Sequence, residues 1–182
     1  MGHLHKDLLM SKAAGIELLV LDVDGVMTDG RITYTTDGQQ VMSFHVHDGL
    51  GIKLLSGCGV RVAIISARKG PALERRAREL GVDLLYQNVR DKLACFRQIL
   101  KEQGIPAEKV AAIGDDLVDL PVLKSAGLSV TVQNAASNMS DYVDYVTAKP
   151  GGSGAVREVC ELILKAKKEW ARCFDRFLGP SI

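Results

Sequence analysis

Two aspartates one residue apart, Asp22 and Asp24, stand where the apolar run Leu18-Leu19-Val20-Leu21 gives way to Gly25. An apolar run closed by a glycine turn has the pattern of a buried parallel strand feeding a loop. Open α/β sheets place their chemistry at the carboxyl ends of such strands. Two carboxylates this close repel unless a cation or a shared proton offsets their charge. A hard dication with oxygen ligands, Mg²⁺ first among them, resolves the repulsion most simply. The alternative is that both are turn or capping residues, a common use of aspartate after a strand.

The same design recurs in Val110-Ala111-Ala112-Ile113-Gly114-Asp115-Asp116-Leu117-Val118-Asp119. Asp115 and Asp116 open a short helical pattern running through Leu123, where the helix dipole favours negative charge, so capping accounts for one of them. It does not account for three acids beside a second acid-tipped strand. With both strands in one parallel sheet, Asp22, Asp24 and Asp115 converge at one edge. A third apolar run, Val60 to Ile65, ends in Ser66, followed by Ala67-Arg68-Lys69. A hydroxyl and basic groups at a strand tip suit phosphate oxygens. Ser66 would serve equally well as the N-cap of a helix over 72–80. Lys92 stands in the first turn of another helical pattern, where an ammonium opposes the dipole unless it meets an anion.

The elements that must gather these groups alternate β and α along the chain. Strand patterns fall at 17–22, 60–65, 83–87, 110–113, 127–132 and 143–147, and helical patterns at 49–57, 70–80, 91–103, 117–125 and 154–178. Short amphipathic helices between buried strands require right-handed crossovers and predict an α/β, three-layer sandwich around a central parallel sheet. Between Gly30 and Phe44 the pattern changes. Two short β runs flank Asp37-Gly38, the signature of a hairpin placed over the tip of the first strand. No insertion is long enough to be a separate cap domain. The chain reads as a single unit over 1–182, with its core at about 15–165 and a basic helical tail over 166–182. That tail has helical apolar spacing at Trp170, Phe174, Phe177 and Leu178.

Composition narrows the classes. At 182 residues, 47% hydrophobic and 25% charged, the chain can bury a substantial core and is neither fibrous nor disordered. A net charge of +1 and the lack of a basic stripe give no reason to expect nucleic acid. No apolar run is long enough to cross a bilayer and no secretory leader pattern is present, which points to a cytoplasmic protein. Cys58, Cys95, Cys160 and Cys173 are scattered and read as reduced, buried thiols, not as a disulfide framework. His3 and His5 read as mobile terminal residues and not as ligands.

In order along the chain, Asp22 to Gly25, Ser66, Lys92 and the run Gly114 to Asp119 resemble the four motifs of haloacid dehalogenase-like phosphatases. The longer strings Asp22 to Gly30, His47 to Lys53, Gly114 to Asp119 and Gly151 to Glu158 are similar to the capless branch that acts on 3-deoxy-D-manno-octulosonate 8-phosphate (KDO 8-phosphate), over about Glu17 to Leu164. The resemblance implies a Rossmann-like fold and a phosphoric monoester hydrolase serving lipopolysaccharide precursor synthesis. It assigns Asp22 as the nucleophile that becomes an aspartyl-phosphate, and Asp24 as the general acid and base. It gives Mg²⁺ to Asp22, the backbone carbonyl of Asp24, and Asp115, and the phosphoryl oxygens to Ser66 and Lys92. It carries substrate contacts to Asp24, His45, Val46, His47, Asp48, Gly49, Lys53, Arg68, Arg76 and Lys92. Lys53 and Arg76 would otherwise read as a solvated helix face, and Asp48-Gly49 as a turn before a helix.

The resemblance also implies a homotetramer with hairpin 31–44 at the interface and the last residues reaching a neighbouring site. Two departures, His47 where many members of the branch have arginine and Ser153 where many have a basic residue, remove positive charge near an acidic sugar. They leave open a different ulosonate phosphate of the nine-carbon, sialic-acid type. A non-catalytic oligomerising module is the alternative from another class, disfavoured by the complete set of motifs.

Overall fold

The computed structural model describes residues 5–178, excluding the side chains of Phe174 and of 176–178. Helix α1 (Lys6–Ala14) leads into strand β1 (Leu18–Leu21), followed by a hairpin of β2 (Thr33–Tyr34) and β3 (Gln40–Val41). Then come α2 (Val46–Gly57), β4 (Arg61–Ile65), α3 (Pro71–Leu80), β5 (Leu84–Tyr86), α4 (Lys92–Gln103) and β6 (Val110–Gly114). A 3₁₀ turn at Leu117–Asp119 precedes the single turn α5 (Leu120–Leu123), and β7 (Leu128–Thr131), β8 (Tyr145–Val146), α6 (Ala155–Ala166) and α7 (Trp170–Leu178) complete the chain.

Six strands form one parallel sheet in the order β5-β4-β1-β6-β7-β8, with the hairpin as a separate two-stranded ribbon. Strand β1 is central, with Leu21 in register with Ile64 of β4 and Ile113 of β6. The period-two alternation of strands assigns side chains to two faces. Leu19, Leu21, Val62, Ile64, Ala111 and Ile113 join one core with residues of α1, α2, α3 and α6. Leu18, Val20, Ala63, Ile65, Val110 and Ala112 join a second core with Phe96 and Ile99 of α4 and Val122 and Leu123 of α5. Three layers result, as the alternating pattern required.

Local signals set several boundaries. Pro71 opens α3, and Gly81 closes it at φ +70°. Asp91 caps α4 by accepting a hydrogen bond from the Ala94 N–H at 2.9 Å. These follow the usual asymmetry of helix ends.

Four expectations need correction. Helix α1 was not anticipated, yet it buries Leu9 and Ala13 in the first core, so the core extends below residue 15. His5 precedes this helix as its N-cap residue. The pattern over 154–178 is two helices, because Lys168 turns the chain at φ +62°. The pattern over 117–125 is a three-residue 3₁₀ turn followed by the single α-turn of α5, opened by a reciprocal capping box between Asp116 and Asp119.

Asp48 and Gly49 lie inside α2, not in a turn before it. Of the cysteines expected to be buried, Cys160 and Cys173 are, whereas Cys58 and Cys95 are half-buried. Of the apolar tail stripe, Trp170 packs on the first core and sits between Arg157 and Lys165, each 5.2 Å from its ring. The side chains of Phe174, Phe177 and Leu178, the last residues expected to reach a neighbour, and His3 lie outside the described residues.

Candidate active site

Register and alternation together build the site. Because β4, β1 and β6 are adjacent and in step, Ser66, Asp22 and Asp115 follow three neighbouring strand ends. Asp22 has the parity of Leu18 and Val20, so its side chain belongs to the layer containing α4. Lys92, the first residue of α4, meets it there, with Nζ 2.6 Å from Asp22 Oδ1 and 2.6 Å from Asp119 Oδ1. Lys92 shares a small cavity with Val20, Ile65, Val122 and Leu123. Asp22, Lys92 and Asp119 are all buried. The ammonium that opposes the α4 dipole is therefore held by two carboxylates.

Carboxylate oxygens of Asp22, Asp115 and Asp119 all lie within 4.8 Å of one another. Burial, then the charge of Asp119, raises Asp22 to about 7 against the pull of Lys92. Burial, then Asp119 and Asp116, raises Asp115 to about 6. Burial works against a charged Lys92, but Asp22 and Asp119 hold it above the ordinary lysine range. Three acids facing one ammonium leave net negative charge, and hard oxygen donors in this number suit a divalent cation such as Mg²⁺. The backbone leaves room for them. A Cβ on Gly25 would fall 1.9 Å from Asp115 Oδ2, and one on Gly114 would fall 2.3 Å from Asp119 Cβ.

Asp119 belongs to the motif Gly114 to Asp119, but the sequence alone gives it no site role. The signal was present, since Asp119 stands four residues after Asp115, and its Oδ2 accepts from the backbone N–H groups of Asp115 (3.1 Å) and Asp116 (3.3 Å). The Asp24 carboxylate stays outside the acid cluster, with Oδ2 3.1 Å from Arg68 Nε. Ser66 is buried at the tip of β4 and accepts a hydrogen bond from the Arg68 N–H at 3.1 Å. It does not cap α3, whose N-cap residue is Gly70.

The remaining expected contacts group around the start of α2. Arg76 donates to the His45 carbonyl at 3.3 Å and stacks 5.7 Å from the Phe44 ring centroid. Gly49 lets the Arg76 guanidinium lie close against α2, where a Cβ would fall 2.2 Å from Arg76 Nη2. Val46 and His47 are exposed, and the rings of His45 and His47 meet edge to face at 5.0 Å. The Asp48 carboxylate is buried and committed to α6, accepting from the N–H groups of Arg157 (2.7 Å) and Gly154 (3.3 Å). That leaves its backbone, not its charge, for a substrate. Lys53 lies on the exposed face of α2, and among the described residues no ion pair links it to the acid cluster. The hairpin overhangs Asp24, enclosing about 170 Å³ lined by Asp24, Asp29, Arg31, Thr33, Gln40 and Met42.

A parallel sheet whose central strand ends in a nucleophile-competent aspartate, beside a buried lysine and a second acidic loop, defines a haloacid dehalogenase-like hydrolase. The family model for haloacid dehalogenase-like hydrolases matches residues 81–159. Over 174 residues the chain is 45% identical to the 3-deoxy-D-manno-octulosonate 8-phosphate phosphatase of Escherichia coli (strain B / BL21-DE3), covering 96% of this chain and 90% of that relative. The enzyme of that name from Yersinia pestis is 46% identical over 161 residues, covering 88% of this chain and 86% of the relative. A crystal structure of the Moraxella catarrhalis phosphatase in complex with magnesium ion, phosphate ion and KDO superposes with a TM-score of 0.93 at 41% identity, covering 95% of this chain and 99% of that one. The chain belongs to the 3-deoxy-D-manno-octulosonate 8-phosphate phosphatase family.

Proposed function

We propose that this protein hydrolyses KDO 8-phosphate to KDO and inorganic phosphate, through an aspartyl-phosphate on Asp22, with Mg²⁺ as cofactor. The observation that carries the reading is Lys92 bound between Asp22 and Asp119 beside Asp115. Asp22, Asp115 and the backbone carbonyl of Asp24 would hold Mg²⁺, with Asp119 close by; the ion supplies positive charge that offsets the repulsion between a carboxylate nucleophile and a phosphate. Lys92 keeps Asp22 oriented and offers its ammonium to a phosphoryl oxygen, and Ser66 offers a hydroxyl. Positioning and electrostatics of this kind supply most of the catalysis in phosphoryl transfer.

Asp24 stands at the open side of the cluster, beside the hairpin cavity, and serves as proton donor to the leaving alkoxide. It then takes a proton from the water that hydrolyses the aspartyl-phosphate. Arg68, paired with Asp24, orients that carboxylate and is available to a substrate anion. Arg76 braces the His45–Gly49 segment.

Exposed Ile32, Tyr34 and Val41 on the hairpin support a homotetramer in which hairpins associate and cover the site. No described helix is long and apolar enough to cross a membrane, in keeping with a cytoplasmic enzyme acting on a soluble sugar phosphate. A second reading has one observation in its favour. His47 and Ser153, the two departures from the family pattern, line the same open cleft of about 430 Å³ with His45, Lys149 and Arg157. Their convergence fits an altered sugar preference, toward a nine-carbon ulosonate 9-phosphate.

The test is phosphate release from a panel of phosphorylated ulosonates, with and without Mg²⁺, compared by kcat/KM. Highest kcat/KM on KDO 8-phosphate, with loss in chelator, is the expected result. Preference for a nine-carbon substrate would transfer the assignment, and no Mg²⁺-dependent release from any substrate would end it.

A further inference from the structure

We propose that Cys58 and Cys173 are a modification site: a thiol pair that a low-molecular-weight disulfide such as oxidised glutathione converts reversibly to an intramolecular disulfide. Their sulfurs lie 4.0 Å apart although the residues are 115 apart in sequence. The placement suits bond formation. Cys58 follows the last turn of α2 and precedes Gly59, which has φ +84°, so its backbone sits in an adaptable turn. Cys173 is buried on the inner side of α7, 3% exposed, within the first core against which Cys58 also packs. Helix α7 is joined to α6 by the turn at Lys168, so a small pivot and side-chain rotation can bring the sulfurs to the roughly 2 Å of a disulfide.

The two thiols have different access. Cys58 is half-buried and open to a small disulfide, whereas Cys173 is covered. In the first step the Cys58 thiolate attacks one sulfur of glutathione disulfide, forming a mixed disulfide and expelling glutathione thiolate. In the second, the Cys173 thiolate attacks Cys58 Sγ and expels the second glutathione. Two protein thiols are oxidised, one external disulfide is reduced to two thiols, and the two protons released pass to the departing thiolates. The other cysteines do not compete. As first attackers on the external disulfide they are disfavoured against half-buried Cys58, since burial pushes the Cys95 thiol up to about 11 and that of Cys160 higher still. Cys173 acts only in the second step, where its sulfur is already 4.0 Å from Cys58 Sγ. The bond would tie α7 to α2, whose first turn begins beside His45.

The test uses the full chain, reduced and then equilibrated with oxidised glutathione. Free thiols should fall from the four cysteines of the chain to two, with a mass loss of two hydrogens. Digestion should yield one cross-linked peptide pair containing Cys58 and Cys173, and dithiothreitol should reverse every change. Cys173→Ser should stop at a glutathione adduct on Cys58, and Cys58→Ser should form neither adduct nor cross-link. A lasting glutathione adduct on Cys58 in the unsubstituted protein, a cross-link through Cys95 or Cys160, or four unchanged thiols would overturn the proposal.

Discussion

Two lysines in this molecule each reach a carboxylate from a distant part of the chain, with opposite outcomes. Lys12 of α1 lies 2.8 Å from both oxygens of Asp144, whose Oδ2 also accepts from the Ser129 N–H and hydroxyl at 3.0 and 3.1 Å. One cation meets one acid there, and further donors fill the remaining lone pairs. Lys92 faces two carboxylates at 2.6 Å each, with Asp115 in the same cluster. The first arrangement is complete in itself, whereas the second holds more negative charge than its own cation can balance. Buried like charges are a cost that folding alone would remove, and they persist where function requires them. Under the proposed function, the imbalance marks the end of the sheet that would take a divalent cation and a phosphate.

The largest way to break this contrast is Asp22→Asn. Removing the proposed nucleophile should lower kcat by ~10⁴-fold or more, as loss of a nucleophile that acts with its partners does elsewhere. Metal-free protein carrying the change should unfold at the same temperature or higher, since one repelling charge is gone. Steady-state phosphate release and a thermal melt in chelator check both halves. A lower melting temperature would show that Asp22 is needed for folding, as the balanced acid Asp144 is expected to be.

Next in size is the paired comparison of Lys92→Met and Lys12→Met. Taking the ammonium from a buried carboxylate cluster should cost about 3–5 kcal/mol and nearly all turnover. Lys12 is one-third exposed, and Asp144 retains its Ser129 donors, so the second change should cost about 1 kcal/mol or less with turnover kept. Denaturant melts of both variants, with kcat measured beside them, supply the numbers. Equal costs would mean the two bridges are equivalent and the contrast is empty.

Metal removal and pH sharpen it further. Asp22 and Asp115 titrate in the folded protein at about 7 and about 6, above ordinary aspartate. Between about 4 and 7 the folded state thus holds protons that the unfolded chain has released, so metal-free stability falls as pH rises through that window. Divalent ions bind the deprotonated carboxylates and oppose the fall. The melting-temperature increase given by Mg²⁺ should therefore be larger at pH 8 than at pH 5, as thermal melts at fixed ionic strength would show. An increase that is flat with pH would place the ion somewhere other than this cluster.

The contrast also explains what the sequence made legible. Apolar runs ending in acids located β1 and β6, and adjacency in a parallel sheet brought Asp22 and Asp115 together. Lys92 stood out because its charge is wrong for a helix start, and the anions it needed are there. Asp119 was legible as part of the run Gly114 to Asp119 but carried no role, because an acid in a helical turn reads as solvated surface, and only the fold buries it against Lys92. Helix α1 escaped because its pattern is weak over nine residues, and its stability comes from burying Leu9 and Ala13 on the sheet. The Asp48 carboxylate was matched with substrate by position, whereas its geometry commits it to the first turn of α6. The pairing of Cys58 with Cys173 had no sequence signal, since 115 residues of chain separate them.

Asp48 supplies the smallest and most discriminating test, because among the described residues it is a buried acid with no lysine or arginine ion pair. Burial raises its titration, while the N–H groups of Arg157 and Gly154 draw it back down. Those two donors stand in for the cation that Asp22 requires. Asp48→Asn keeps the shape and one acceptor oxygen, loses one of the two backbone hydrogen bonds, and removes a buried charge. The net change should be a destabilisation of about 1 kcal/mol, the same with and without Mg²⁺. A thermal melt of the variant in chelator and in saturating Mg²⁺ measures it. A loss that appeared only with Mg²⁺ present would connect Asp48 to the cation-binding end of the sheet and remove the distinction between an acid satisfied by backbone and one that awaits a metal.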